Sequence, residues 1–180
     1  MPTPLGHGLA GLTVHVLTAT DAAELRSPRR IAVVVGAAVA ADLDLLFRFV
    51  DGRNHHQAES HSLGAACLAA LVVVVAARML GVARAVRLGA VAAVAWLSHI
   101  LLDFLNLDTN PPIGVMALWP LSRGYFKFPV PLFLDIGRTL DWATVRHDAL
   151  AAAWEAAVLL PALALAWRRR VRDSERTRVS

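Results

Sequence analysis

The chain has 180 residues, of which 57% are hydrophobic, and its mean hydropathy is +0.53. This composition is too apolar for an average soluble domain of this length, so we expect a membrane-embedded protein. The net charge is +4, but the basic residues lie between apolar runs and at the C-terminus without interleaved aromatic residues, which favours a lipid bilayer over nucleic acid as the partner.

Five apolar segments are each about long enough to cross the hydrocarbon core of a bilayer. They are residues 5–23, 31–50, 63–80, 86–105 and 149–167. Because the first two carry polar residues, we expect an all-α, membrane-embedded bundle of about five apolar helices that shield one another. Residues 1–170 should form a single domain, followed by a basic, disordered tail at residues 171–180.

Polar residues and prolines mark the expected helix starts. Thr3 with Pro4 and Ser27 with Pro28 are typical of a helix cap and its first turn. Ser60 or Ser62 should cap the third segment. The N-terminus lacks the basic residues of a signal peptide, so we expect it to be retained.

A long loop is predicted between the fourth and fifth helices, because five prolines interrupt residues 106–147. They are Pro111, Pro112, Pro120, Pro129 and Pro131. Loops of this size tend to be functional lids or surface-lying elements. Its aromatic residues suit the membrane interface or, equally, packing against the bundle. They are Trp119, Tyr125, Phe126 and Phe128.

Seven side chains of metal-ligand type fall on one side of the membrane if successive segments alternate in direction. They are His7, Asp42, Asp44, His56, His61, His99 and Asp103. His147 and Glu155, in or near the fifth segment, belong to the same side. Because carboxylates and imidazoles are costly in apolar surroundings, their convergence indicates a shared metal site.

The basic residues predict the orientation of the protein. Twelve of the 18 lie on the side opposite these ligands, including Arg168, Arg169 and Arg170 near the C-terminus. The positive-inside tendency therefore predicts a multi-pass protein of the bacterial cytoplasmic membrane with its C-terminus in the cytoplasm and its site facing outside.

The spacing of the ligands favours cation binding. His99 and Asp103 are four residues apart and share a helix face, so both can reach one cation, or Asp103 can orient the ring of His99. Asp42 and Asp44 diverge by about 200 degrees on an α-helix, but both can approach a site at a terminal turn, where Asp44 would bridge two cations or orient a ligand. Glu155 is the candidate general base, a further ligand or an orienter of His147.

His and carboxylate ligands indicate a divalent metal, with zinc expected first and manganese or iron as alternatives. We interpret His7, Asp42, His56, His61, His99 and Asp103 as the metal ligands, and His147 as an additional candidate. Glu155 and Asp44 are the candidate catalytic residues. Hydrolysis is the natural chemistry of such a site, and no nucleophile elbow, phosphate-binding loop or dinucleotide motif competes with it.

The motifs that carry these residues resemble those of bacterial membrane-bound metal-dependent hydrolases of the YdjM-like, LexA-regulated type. They are the opening MPTPLGH, ADLDL at residues 41–45, HQAESHSL at 56–63, SHILLD at 98–103 and GVMALWPLS at 114–122. The pattern is also similar to that of all-helical zinc-dependent phospholipases C, which implies phosphoester hydrolysis. Gln57 and Ser60 depart from the Arg and Thr frequent in the family, and the missing Arg weakens the phosphoester inference.

The leading hypothesis is a membrane-bound, metal-dependent hydrolase that acts on a small-molecule or lipid-like ester or phosphoester. The alternative is a non-enzymatic membrane protein that binds or transports a metal ion through the same residues. A purely structural bundle is the third reading, although so many ionisable groups are an expensive way to pack helices. Clustering on one side argues against transport, because a pathway should continue to the other side.

Overall fold

The computed structural model describes residues 1–137 and 139–179, and the side chains of these residues as far as Arg172. The described residues form seven α-helices, with bounds α1 Pro4–Thr18, α2 Ala22–Arg26, α3 Pro28–Val39, α4 Arg48–Asp51, α5 Leu63–Met79, α6 Ala85–Phe104 and α7 Trp142–Val179. Two 3-10 helices, Ala40–Phe47 and Glu59–His61, lie before and after α4. The described residues form no β-strand, which confirms the all-helical class.

The prediction of five membrane-crossing helices is wrong. Within the described residues, two helical stretches are long and apolar enough to cross a membrane, Ala85–Phe104 and Trp142–Arg172. The helices α1, α3 and α5 have 15, 12 and 17 residues, at or below the length that a hydrocarbon core requires. The second apolar segment is divided at Ala40, where the chain tightens into a 3-10 helix.

The helix α1 occupies the centre of the bundle and packs against α3, α6 and α7, while α5 packs against α6. The central core consists of small and β-branched side chains that let the helices approach closely. Its buried residues are Val14, Val34, Ala37, Ala38, Val91, Ala92 and Ala95. This core holds the N-terminal end of α1 beside the C-terminal ends of α3 and α6.

Three caps confirm the predicted helix starts. The hydroxyl of Thr3 accepts a hydrogen bond from the Gly6 amide, and that of Ser27 accepts one from the Arg30 amide. Ser62, rather than Ser60, caps α5 by accepting from the Ala65 amide at 3.1 Å. Ser60 is therefore free to make side-chain contacts elsewhere.

The helix α7 runs parallel to α1. Near the start of α1, the backbone amide of Thr3 donates to Glu155 Oε1 at 2.8 Å. At the other end, Arg170 Nη2 donates to the Leu17 carbonyl at 3.0 Å. Arg30 and Arg87 also donate to carbonyls in the last turn of α1, where cations are favoured by the helix dipole. This end of the bundle is the basic end.

The segment between α6 and α7 has no long helix among its described residues, as its prolines predict, and it covers the end of the bundle opposite these arginines. Phe133 is buried against Ala10 of α1 and Leu102 of α6. The Leu132 carbonyl accepts a hydrogen bond from the Trp154 indole at 2.8 Å. The predicted tail falls mostly at residues 173–180, whose side chains lie outside the described part of the chain, although the helical backbone continues to Val179.

Candidate metal centre

Four parts of the chain bring ionisable side chains to the loop-covered end of the bundle. The first turn of α1 provides His7, and the 3-10 helix after α3 provides Asp42 and Asp44. The segment before α5 provides His56 and His61, and the last turns of α6 provide His99 and Asp103. The structure therefore places all seven residues predicted on one side of the membrane in one cluster.

Two imidazole nitrogens face each other at the centre of the cluster. The Nε2 atoms of His61 and His99 are 3.0 Å apart, and Asp103 Oδ2 lies 3.1 Å from each of them. Asp42 Oδ1 lies 3.5 Å from His61 Nε2 and 3.4 Å from His99 Nε2. Two carboxylates thus flank a pair of ring nitrogens in an almost completely buried space.

The other nitrogen of each ring has a hydrogen-bond acceptor that assigns its proton. His99 Nδ1 donates to the Ala38 carbonyl at 2.8 Å. His61 Nδ1 lies 3.2 Å from Asp44 Oδ2 and 2.9 Å from the Ser60 hydroxyl. In the neutral rings both Nε2 atoms then carry lone pairs directed at the centre. A cation held by these residues would relieve the repulsion between the lone pairs and the adjacent carboxylates.

The candidate ligands form two groups that share Asp42. One contains His7, Asp42, His99 and Asp103, and the other contains Asp42, His56 and His61. Within each group, one ligand atom from every residue lies within 4.8 Å of the others. A shared carboxylate is suited to holding two cations close together.

Several ligand atoms are buried without a hydrogen-bond partner in the described structure. They are both ring nitrogens of His7, Oδ1 of Asp42, Nε2 of His56 and both carboxylate oxygens of Asp103. The His7 ring is stacked on that of His99 at a centroid distance of 3.7 Å. Buried polar atoms normally find partners, so these open positions fit a bound divalent metal.

Asp44 lies behind the histidines rather than in either group. Its carboxylate contacts His56 Nδ1 at 3.0 Å and the Ser60 hydroxyl at 2.5 Å, and it also faces His61 Nδ1. Burial alone would raise the pKa of Asp44, but the hydrogen bonds from His56, His61 and Ser60 lower it well below its ordinary value. The ionised carboxylate fixes the orientation of two candidate ligands.

Besides Asp44, two of the predicted site residues lie outside both groups. Glu155 is fully buried and accepts hydrogen bonds from the amide and the hydroxyl of Thr3, so it anchors the start of α1 to α7. His147 is exposed and contacts the carbonyl and carboxylate of Asp135 in the long loop. His15 lies at the basic end, where it contacts Arg30 and the Leu25 carbonyl.

Two supporting side chains escaped the sequence analysis. The Ser60 hydroxyl connects Asp44 with His61, whereas the sequence pattern indicates only a helix cap and a departure from the family at Ser60. The Trp96 indole donates to the Ser60 carbonyl at 2.8 Å and so holds this segment against α6. Trp96 lies one helical turn before His99, which is the only sequence signal for its position near the cluster.

Comparison with known proteins assigns the family. The sequence model of the YdjM inner membrane proteins matches residues 1–172, which include every residue of the cluster. No curated protein and no solved structure matches the chain. Together with the two apolar helices, this match identifies an inner membrane protein that carries a His/Asp cluster able to hold a metal ion. The chain belongs to the YdjM inner membrane protein family.

Proposed function

We propose that the protein is a membrane-bound, metal-dependent hydrolase of esters or phosphoesters, with zinc as the first candidate metal. The observation that carries this proposal is the pair of Nε2 atoms 3.0 Å apart between the carboxylates of Asp42 and Asp103. A divalent cation in such a site supplies Lewis-acid catalysis and acidifies water at neutral pH.

The residues around the cluster suit a reaction at its edge. The Asp42 side chain is 14% exposed, whereas those of His7, His61, His99 and Asp103 are fully buried. Asp42 therefore marks the side on which a substrate can approach. The Nδ1 atoms of His56 and His99 contact Asp44 and the Ala38 carbonyl, respectively, so both rings keep their orientation as the substrate binds.

The surface beside Asp42 favours a lipid-like substrate. Large apolar side chains follow Asp42 along the chain and are exposed on the surface of the molecule. They are Leu43, Leu46, Phe47, Phe49 and Val50. Exposed apolar side chains of this kind are typical of membrane or ligand contact, so a molecule in the bilayer can approach the segment that carries Asp42.

The test measures bound metal and hydrolysis on the protein purified in detergent. Elemental analysis should find a divalent metal in the wild type, and a panel of p-nitrophenyl esters, p-nitrophenyl phosphodiesters and phospholipids should reveal hydrolysis. His99→Ala and Asp103→Ala should each lose metal and lower the rate by about 100-fold or more, as expected for loss of a metal-dependent step.

His147→Ala is the matched control, because this exposed histidine contacts Asp135 and lies in neither group. It should retain both metal and activity. Absence of metal from the wild-type protein would contradict the proposal. Bound metal without hydrolysis of any substrate in the panel would reject the enzyme and favour metal binding or transport.

A further inference from the structure

An apolar groove of about 650 Å³ lies between α3 and α5 on the outer surface of the bundle. Small and aliphatic side chains form its walls, among them Ala32, Gly36, Ala65, Leu68, Ala69 and Val72. Its volume is within the range of about 300–1,000 Å³ that is usual for small-molecule pockets. In an inner membrane protein, such a surface is suited to hydrocarbon.

One end of the groove borders the candidate metal centre, although none of the seven cluster residues is among its lining residues. Ser60 lines it, and the hydroxyl of Ser60 contacts Asp44 at 2.5 Å and His61 Nδ1 at 2.9 Å. Trp96 and Trp119 also line the groove, and the Trp96 indole donates to the Ser60 carbonyl. Besides the two indoles, the polar side chains that line the groove are those of Glu59 and Ser60. Both belong to the 3-10 helix that carries His61.

We propose that this groove binds one hydrocarbon chain of a lipid-like substrate while the ester or phosphoester group of that substrate lies at the metal centre. This inference rests on the proposed hydrolase function and adds the binding site for the chain. The apolar walls match a hydrocarbon chain. The end of the groove that Ala40 and Ser60 line adjoins the two 3-10 helices that carry Asp42 and His61, so a head group at the exposed edge of Asp42 can be joined to a chain in the groove.

A second apolar groove provides an internal comparison. It has a volume of about 720 Å³ and lies between α1, α2 and α7. Its lining includes His15, Arg26 and Arg168, so it is at the basic end of the bundle, away from the metal centre. None of the residues that line it lies in the two 3-10 helices that carry Asp42 and His61.

Gly36 offers a way to fill the first groove without disturbing the fold. A Cβ atom built at Gly36 has no other atom within 4 Å, so a leucine side chain there projects into open space in the groove. Ala164→Leu is the matched control, because exposed Ala164 lines the second groove. Both variants should keep the wild-type metal content.

The first measurement compares hydrolysis of a hexadecanoyl substrate and its butanoyl analogue with the same head group. Gly36→Leu should lower kcat/KM for the long-chain substrate by about tenfold or more, since each buried methylene contributes about 0.8 kcal/mol, and leave the butanoyl analogue nearly unchanged. Ala164→Leu should change neither. Equal losses on both substrates, or no loss on either, would overturn the groove assignment while leaving hydrolysis established.

The second measurement detects chain binding without any reaction. Phosphatidylglycerol with a diazirine near the end of one acyl chain is photolysed with the protein in detergent micelles, and the labelled peptides are identified by mass spectrometry. Labelling of α5 around Leu68 and Val72 should saturate, and Gly36→Leu should lower it by about tenfold while Ala164→Leu preserves it. Unsaturable labelling, or labelling unaffected by Gly36→Leu, would contradict the proposal. Saturable labelling in a protein that hydrolyses no substrate would reject the proposed function alone.

Discussion

Asp44 orients the candidate ligands without belonging to either of their groups. Its carboxylate faces the Nδ1 atoms of both His56 and His61, and Ser60 donates a further hydrogen bond to it. These contacts fix the tautomer of His61 and direct its Nε2 toward Asp103. The affinity of the centre for metal should therefore depend on Asp44, which contacts the candidate ligands but is not one of them.

Asp44→Asn should weaken metal binding by about 10–100-fold, the usual cost of losing a residue that orients a metal ligand. The amide keeps the shape of the side chain but removes the negative charge and one of the two acceptors. Competition with a chelator of known affinity measures the change on the purified protein.

Asp51→Asn serves as the control, because Asp51 makes an equally direct contact with a histidine outside the centre. Its carboxylate is 2.6 Å from His55 Nε2, and both side chains are exposed. This variant should bind metal as the wild type does. If Asp44→Asn also retained wild-type affinity, the orienting role of Asp44 would be wrong.

At the scale of elements, the 3-10 helix Ala40–Phe47 explains how two aspartates of diverging direction serve one centre. The ring of His61 lies between them, with Asp42 near its Nε2 atom and Asp44 near its Nδ1 atom. One aspartate can thus act as a ligand while the other orients the same histidine. Divergence of the two side chains is a requirement of this arrangement and not an obstacle to it.

The close packing of α1 against α3 sets the distance between His7 and His99. The helix α1 carries His7, and the Ala38 carbonyl of α3 accepts a hydrogen bond from His99. Gly11 permits this approach. A Cβ atom at Gly11 would lie 2.7 Å from the Ala38 Cβ and 3.1 Å from the Val35 Cα. Any side chain there must push the two helices apart.

Gly11→Ala should therefore lower the free energy of unfolding by about 1–3 kcal/mol, as overpacking of a tight helix contact does. The midpoint of thermal unfolding in detergent micelles reports the effect. Gly8→Ala is the control in the same helix, because a Cβ atom at Gly8 meets nothing within 4 Å. It should be neutral or raise stability by up to about 1 kcal/mol, the difference in helix propensity. Equal effects of the two substitutions would refute the packing argument.

At the scale of the whole molecule, the arginines and the candidate metal ligands occupy opposite ends of the bundle. Arg30, Arg87 and Arg170 gather around the C-terminal turn of α1, whereas the cluster lies at its N-terminal turn. The positive-inside tendency predicts that the basic end is in the cytoplasm. On this basis we predict that the metal centre faces the outside of the cytoplasmic membrane.

Reporter fusions test this orientation. Green fluorescent protein joined to the C-terminus should be fluorescent in cells, and alkaline phosphatase joined at the same point should be inactive, because the phosphatase folds only in the oxidising exterior. An active phosphatase fusion would reverse the orientation and place the centre in the cytoplasm. The metal content and hydrolysis of the purified protein are independent of this result.

Local patterns in the sequence were enough to predict the helical class, the helix caps and the residue types of the centre. Runs of apolar residues, capping serines and threonines, and the spacing of His99 and Asp103 are all properties of neighbouring residues. Alternation of the helices then predicted which ionisable residues share one end, and the structure brings those seven together.

Contacts between distant parts of the chain decided the rest. Thr3 and Glu155 are 152 positions apart in the sequence and are hydrogen-bonded to each other. The packing of α7 on α1 therefore pairs Glu155 with Thr3 and not with the candidate ligands. The break of the second apolar segment at Ala40 also removed one expected span, although its apolar residues continue. Apolar periodicity indicates that a segment is buried, but it does not say which helices meet in space. The hydrogen-bond partner of Glu155, the tautomers of His61 and His99, and the groove between α3 and α5 all depend on those contacts.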